Sequence, residues 1–325
     1  MVTPVAGAAG VAAAAGVAAA AGVTEPVDCT AIVVTHNSAG DLPGLLDTVP
    51  RAAPGMTVRV LVVDNGSSDD IAGAVPGRTG VELIRAGGNL GYAGGINVGR
   101  RHLGPTRTVA ILNPDLRLAP GSLAWLVEAA GRPGAGAAVP RFVEEETGHS
   151  FPSLRREPTI LRALGDALLG AHWPGRPAWL SEMVWDARRY EEAGPVDWGT
   201  GAVLVVSSEV DSAVGAWDDE RFFLYSEETD YSRRIREAGW SVRYVPEATV
   251  THQGGASGTG TALTALNEVN RVRYYRKYHG RLSTVVFRGV VAVGELLRVN
   301  RPANRAALHA LLSPRRRRSL PGGRA

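Results

Sequence analysis

Cysteine is almost absent: Cys29 is the only one in 325 residues. That excludes a disulfide framework and any multi-cysteine zinc site, and it fits a reducing cytosol. Lysine is as scarce, with Lys277 alone among 35 basic residues, a skew that reads as nucleotide-composition bias. No strongly apolar run reaches the roughly 18 residues of a membrane span, which argues against an integral transporter. The chain has no GxxxxGK[ST] pattern, which argues against a P-loop nucleoside triphosphatase, and no GxGxxG follows the first apolar run, so the dinucleotide fingerprint is missing. There is no GxSxG nucleophile elbow either. Without a helix-turn-helix, zinc-finger or RNP pattern, nothing supports nucleic acid as a partner.

What remains is ordinary globular material, 45% apolar and 21% charged, enough for one large domain with an appendage. The net charge of +3 hides a division. Residues 256–325 carry fourteen Lys or Arg against only Glu268 and Glu295, a balance of +12 that leaves −9 on the preceding 255. An acidic body with a basic tail suggests a cation-handling site beside a surface that meets anions, an anionic membrane among them. Residues 1–27 are mostly Ala, Gly and Val and lack the basic start and strong apolar centre of a secretory signal. They read as a low-complexity, disordered tail or the product of a misplaced start codon. The expected division is an α/β body over 28–255, a basic helical extension over 256–312 and a disordered basic tail over 313–325.

Short apolar runs organise the body. Ala31–Val34 ends in Thr35-His36-Asn37-Ser38; Val58–Val63 ends in Asp64-Asn65-Gly66; Val81–Ile84 leads into a glycine-rich stretch from Gly87 to Gly99; Thr108–Leu112 ends in Asn113-Pro114-Asp115. Buried strands alternating with helical stretches mean a largely parallel α/β sheet. Ligands bind such sheets outside the carboxyl ends of the strands, where these polar residues lie. Later come the strand Val203–Val206, a helix opening at Glu227 and stopping near Gly239, a strand Trp240–Val245, a segment Thr249–Gly255 that closes the body, and helices over 262–279 and 282–299.

Each chemical candidate has a bland counterpart. Asp64 suits a base imide or ribose hydroxyl, or simply caps a helix. Asp115 could anchor Mg²⁺, which takes one or two carboxylates with substrate phosphates, or complete an Asn-Pro-Asp turn. Glu227, Glu228 and Asp230 could supply a general base, or merely favour the dipole of the helix they open. The glycine stretch could cradle a ligand or allow tight turns and close helix packing. Trp173, Trp179, Trp185 and Trp198 could form an acceptor platform or pack in the core.

In order the motifs read VVTHNS, VVDNGSSD, NLGYAGGINVG, ILNPDL, GTGAVLVV, RFFLYSEETDYSRRIREAGW and YVPEATVTHQGG. Over about Thr30 to Gly280 this succession resembles the family 2 glycosyltransferases of the GT-A fold, particularly their bacterial rhamnosyltransferase-like branch. The resemblance implies a nucleotide-diphospho-sugar transferase-like sheet and an inverting transfer. It makes Thr35, His36 and Asn37 the first nucleotide-contacting loop and Asp64, with Asn65 beside it, the holder of a pyrimidine base. Gly91, Tyr92, Gly94, Gly95 and Asn97 become the loop over ribose and diphosphate. Asn113-Pro114-Asp115 takes the place of the DxD metal motif, with Asn for its first acid, leaving Asp115 as the charged ligand of Mg²⁺ or Mn²⁺. His252 falls near the metal and diphosphate. The base is the second acid of the family motif, Glu228 here; its Asp-to-Glu change lengthens the arm and keeps Glu227 and Asp230 open. Trp198 and Gly201 fall on the acceptor side. The implied donor is dTDP-rhamnose and the acceptor a glycan or polyprenyl-linked hydroxyl in cell-envelope polysaccharide synthesis. The implied location is cytoplasmic; the aromatic, cationic and apolar stretch over residues 271–300 suits the inner face of the plasma membrane, or equally a solvated helix packed on the body. A sugar-nucleotide nucleotidyltransferase and a non-catalytic sugar-binding relative stay open as alternatives.

Overall fold

The computed structural model describes residues 25–144, 147–170, 172–252 and 260–323. The expectation for the N-terminal tail therefore lies almost wholly outside the described residues, as does the end of the segment expected to close the body. The four apolar runs become β1 (Val27–Thr35), β2 (Val58–Asp64), β3 (Val81–Arg85) and β4 (Thr106–Leu112). Farther along the chain are β5 (Leu116–Leu118), β6 (Ala135–Val143), β7 (Leu154–Arg155) and β8 (Gly194–Val196). The last strands are β9 (Trp198–Gly199), β10 (Val203–Ser207) and β11 (Ser241–His252). One sheet runs β3-β2-β1-β4-β10-β6-β11-β5 with β8 on β11, while β7 and β9 pair apart. The first four strands are parallel, and β10 lies antiparallel to both β4 and β6.

Alternation along β1 sets the two layers. Ala31 and Val33 pack with Leu42, Leu45 and Leu126 on one side; Ile32 and Val34 pack with Ile96, Tyr231 and Ile235 on the other. The first side is covered by α1 (Leu42–Ala52). The second is covered by α2 (Gly91–Arg100), which corrects the expected loop. A Cβ on Gly95 would fall 2.5 Å from Val34 and one on Gly99 2.6 Å from Ile32. These glycines let a helix lie close on β1. Next in the chain come α3 (Ser122–Ala130), α4 (Ile160–Leu169), α5 (Ser208–Val214) and α6 (Glu227–Glu237).

The extension forms α7 (Thr261–Tyr278), α8 (Arg281–Leu297) and α9 (Pro302–Leu312), which share an apolar cluster with α4 through Ala163, Val269, Phe287 and Leu311. The expected disordered tail is also corrected over its described part. Pro314–Arg318 form α10, capped by Ser313, whose hydroxyl accepts from the Arg316 N–H, and Leu320 packs against the same cluster.

Candidate active site

The ends of β1 and β2 are laced together by their own polar groups. The Thr35 hydroxyl is buried and donates to the Val63 carbonyl. His36 Nδ1 lies 3.2 Å from the Asn65 carbonyl and its Nε2 3.3 Å from the Asn89 amide nitrogen. Asn37 adopts a left-handed φ of 56°, and its Oδ1 accepts from the Ser68 N–H and hydroxyl. One Asp64 oxygen accepts from the Ser67 N–H at 2.9 Å. The structure thus gathers Thr35, His36, Asn37, Asp64 and Asn65 at one strand-end rim. Two predicted donor residues have their amides committed elsewhere. Asn65 is buried and bonds the backbone of Leu90 and Gly91, and Asn97 exchanges both its bonds with the Trp217 backbone. Gly95 packs the helix on Val34, and Gly94 leaves room for Leu90 at the start of the same helix. Asn89, absent from the sequence reading, completes the His36–Asn65 link.

Asp115 follows β4 and is almost fully buried. His252 ends β11, where pairing with β5 sets it opposite Leu116. Its Nε2 comes 3.1 Å from the Asp115 carboxylate. Two groups 137 positions apart thus meet. Among the described residues no third His, Cys, Asp or Glu joins them in a metal-holding cluster. One carboxylate, one imidazole and the oxygens of a bound diphosphate form a donor set that fits a divalent ion.

Tyr92 bridges to the opposite wall. Gly91, at φ +77°, has no room for a Cβ against Phe223, and the Tyr92 N–H donates to the Phe223 carbonyl at 2.7 Å. The Tyr92 hydroxyl reaches Asn113 Oδ1 at 2.8 Å and the Gly201 carbonyl at 3.3 Å. Burial, then the charges of Glu227, Glu228 and Asp115, raise its pKa well above the usual phenol value. All three carboxylates act on this one side chain.

Tyr225 and Ser226 enter α6 at φ 70° and 69°, conformations that cost non-glycine residues on the order of 1–3 kcal/mol each. This strained entry aims the first turn of α6. Glu227 Oε2 and Glu228 Oε2 are buried without a hydrogen-bond partner. Burial pushes the Glu228 carboxyl up to about 7, opposed by its own backbone N–H and by Arg155. Burial, and next the Glu228 charge, raise Glu227 as well. Glu228 lines a cavity of about 440 Å³ with Arg155, Trp185, Trp198, Arg271 and Tyr274. Gly201 backs it: a Cβ there would fall 3.2 Å from the Glu228 side chain.

Asp230 does not join this wall, which corrects its candidacy as the base. It is fully buried, with one oxygen bonded to Arg234 and the other to Lys277 and Tyr278 of α7. Its charge is used up in docking the extension.

A mostly parallel sheet in which β10, β5 and β8 run reversed, polar strand ends on one wall and orphaned glutamates on the other fit a glycosyltransferase of the GT-A fold, and the chain belongs to Glycosyl transferase family 2, whose pattern matches residues 30–180. It is 34% identical over 236 residues, 68% of this chain and 74% of the relative, to the N-acetylglucosaminyl-diphospho-decaprenol L-rhamnosyltransferase of Mycobacterium tuberculosis. Another relative, the low-salt glycan biosynthesis hexosyltransferase Agl10 of Haloferax volcanii, is 28% identical over 64% of this chain and 62% of its own. The fold is shared with the mannosyltransferase PcManGT of Pyrobaculum calidifontis, solved with GDP-Man and Mn²⁺, at a TM-score of 0.56 and 17% identity over 92% of this chain and 78% of that one. It is also shared with GalNAc-T7, solved with UDP, GalNAc and Mn²⁺, at a TM-score of 0.54 and 15% identity over 82% of this chain and 55% of that one.

Proposed function

We propose that the protein transfers L-rhamnose from dTDP-rhamnose, with inversion, to a hydroxyl of a polyprenyl-diphosphate-linked sugar in cell-envelope polysaccharide synthesis. The observation that carries this reading is Glu228: a buried carboxylate oxygen with no partner, in the wall of a cavity, held up to about 7 by burial. A base poised there takes the acceptor proton near neutral pH. The acceptor oxygen bonds to the anomeric carbon as the bond to the diphosphate breaks on the opposite face, and the proton goes to Glu228. Tyr92, tied to Asn113 and Gly201, keeps the two walls in register. The second Asp64 oxygen, which makes no hydrogen bond among the described residues, would accept from the nucleoside. Mg²⁺ or Mn²⁺ would be held by Asp115 and His252 with the donor diphosphate, and when bound it supplies positive charge to the leaving group. The rhamnosyltransferase relative supports the choice of donor sugar and of a lipid-linked acceptor.

No helix among the described residues is long and apolar enough to cross a membrane. A peripheral place at the cytoplasmic face of the plasma membrane is supported by α8, which exposes Leu282, Val285, Leu296 and Leu297, and by the basic charge of the extension, where Arg276 and Arg288 lie close enough to Arg317 to act on it. Flotation with anionic vesicles should be lost when these four apolar residues become serine; unchanged flotation removes the membrane from the reading. The donor is tested with a panel of sugar nucleotides and a short-chain lipid-diphosphate N-acetylglucosamine. Fastest release of dTDP from dTDP-rhamnose, an inverted anomeric centre and arrest by EDTA are expected. Another preferred donor, or retained configuration, overturns that part.

A further inference from the structure

We infer that the cavity beside Glu228 is the acceptor site, and that Arg155 binds a phosphate of the acceptor's diphosphate within it. This rests on the proposed transfer to a lipid-linked sugar. The cavity lies among β7, β9, α4, α6 and α7 and presents three guanidinium groups, from Arg155, Arg176 and Arg271. Two of them are already spent. Arg176 meets Asp166 at 2.6 Å, and Arg271 meets Glu182 at 2.8 Å and Glu268 at 3.7 Å. Those pairs also answer every carboxylate of the cavity except Glu228.

Arg155 differs. It makes no ion pair among the described residues, and its guanidinium carbon stands 5.7 Å from the centre of the Trp198 ring, its neighbour in the β7–β9 register. A cation outside every ion pair of the described residues and a carboxylate with an unbonded oxygen therefore line the same hollow, far enough apart that the Arg155 charge only partly offsets the burial of Glu228. A ligand that satisfies both carries an anion at one end and a donating hydroxyl at the other, which a sugar diphosphate does. The Trp198 indole N–H is anchored to the Arg156 carbonyl, so the ring beside Arg155 is fixed in the cavity lining. Leu168 and Trp173, close in the chain to the lining residues Gly170 and Arg176, are 57% and 49% exposed, apolar surface of the kind a lipid chain can lie on.

The test is equilibrium binding to the full chain of farnesyl-diphospho-N-acetylglucosamine and, in parallel, of octyl N-acetylglucosaminide, which lacks phosphate. Arg155→Ala should weaken the diphosphate probe about tenfold to a hundredfold, the usual value of a hydrogen-bonded charge, and Arg155→Lys should restore part of it. The phosphate-free probe should lose far less, which also reports that the variant is folded. Equal losses on the two probes, or none on the diphosphate probe, overturn the assignment. If the wild type binds the probe through Arg155 yet transfers no sugar from any donor, the proposed reaction fails and the site stands. If it transfers sugar and Arg155 is immaterial, the site fails and the reaction stands.

Discussion

The two faces of α6 differ in how completely their charges are answered. On the face toward α7, Asp230 is fully buried and held by Arg234, Lys277 and Tyr278, with Lys277 also reaching Asp218 at 2.8 Å. On the face toward the cleft, Glu227 and Glu228 each keep a buried oxygen with no partner. Orphaned buried carboxylates cost free energy and persist where a ligand or a proton completes them. Satisfaction, rather than charge or position in the motif, separates the acid that holds the fold from the acids free for chemistry.

The sharpest way to break that contrast is to neutralise each face in turn. Glu228→Gln should lower transfer by at least about a hundredfold, the usual scale of general base catalysis, while leaving the unfolding midpoint no lower than in the wild type, because the amide needs no buried charge. Steady-state transfer and thermal melting of the same preparation measure both. Transfer within a fewfold of normal would pass the base to Glu227.

Lys277→Met acts on the other face and should act on stability. Its side chain is 20% exposed and that of Asp230 fully buried, so the variant leaves a buried carboxylate short of one of its cations. Breaking a buried pair by removing one partner costs roughly 3 kcal/mol, to be read from urea unfolding with the slope unchanged. A variant as stable as the wild type would mean that Arg234 and Tyr278 suffice to hold Asp230.

Legibility in the sequence follows the same division. The strands β1 to β4 are apolar runs with polar ends and could be read directly. Central strand β6 was missed because its first half, Ala135 to Ala138, is small residues and the run is broken by Gly136 and Pro140. Its packing depends on smallness: a Cβ on Gly136 would fall 2.7 Å from Trp240. The α2 glycines looked like a loop for the same reason, since their partner surface on β1 is distant in sequence. The strand-end rim and the Asp115–His252 pair were reached through motif order, because only the β11–β5 pairing brings the last two together. Arg155 carried no signal in a two-residue strand, and Lys277, read as compositional accident, proves to be the anchor of α7. An ion pair belongs to two residues, and one residue does not announce its partner.

The smallest effect concerns Glu227, which is 4% exposed and lies between these regimes. Its carboxyl is raised above the ordinary 4.5 by burial and by the neighbouring Glu228 charge. A carboxyl raised on folding binds its proton more tightly in the native state than in the unfolded chain. The native state therefore suffers no penalty below about 4.5 and a growing one as pH climbs through the folded-state value. For Glu228 that window runs from 4.5 to about 7. Glu227→Gln removes one of the coupled charges and its push on the other, so the variant should melt a few degrees above the wild type at pH 8, and the gap should close toward pH 5. Melting followed across this range decides the matter. A gap independent of pH would mean that folding does not raise the Glu227 carboxyl after all, and that its burial imposes no penalty on the charged form.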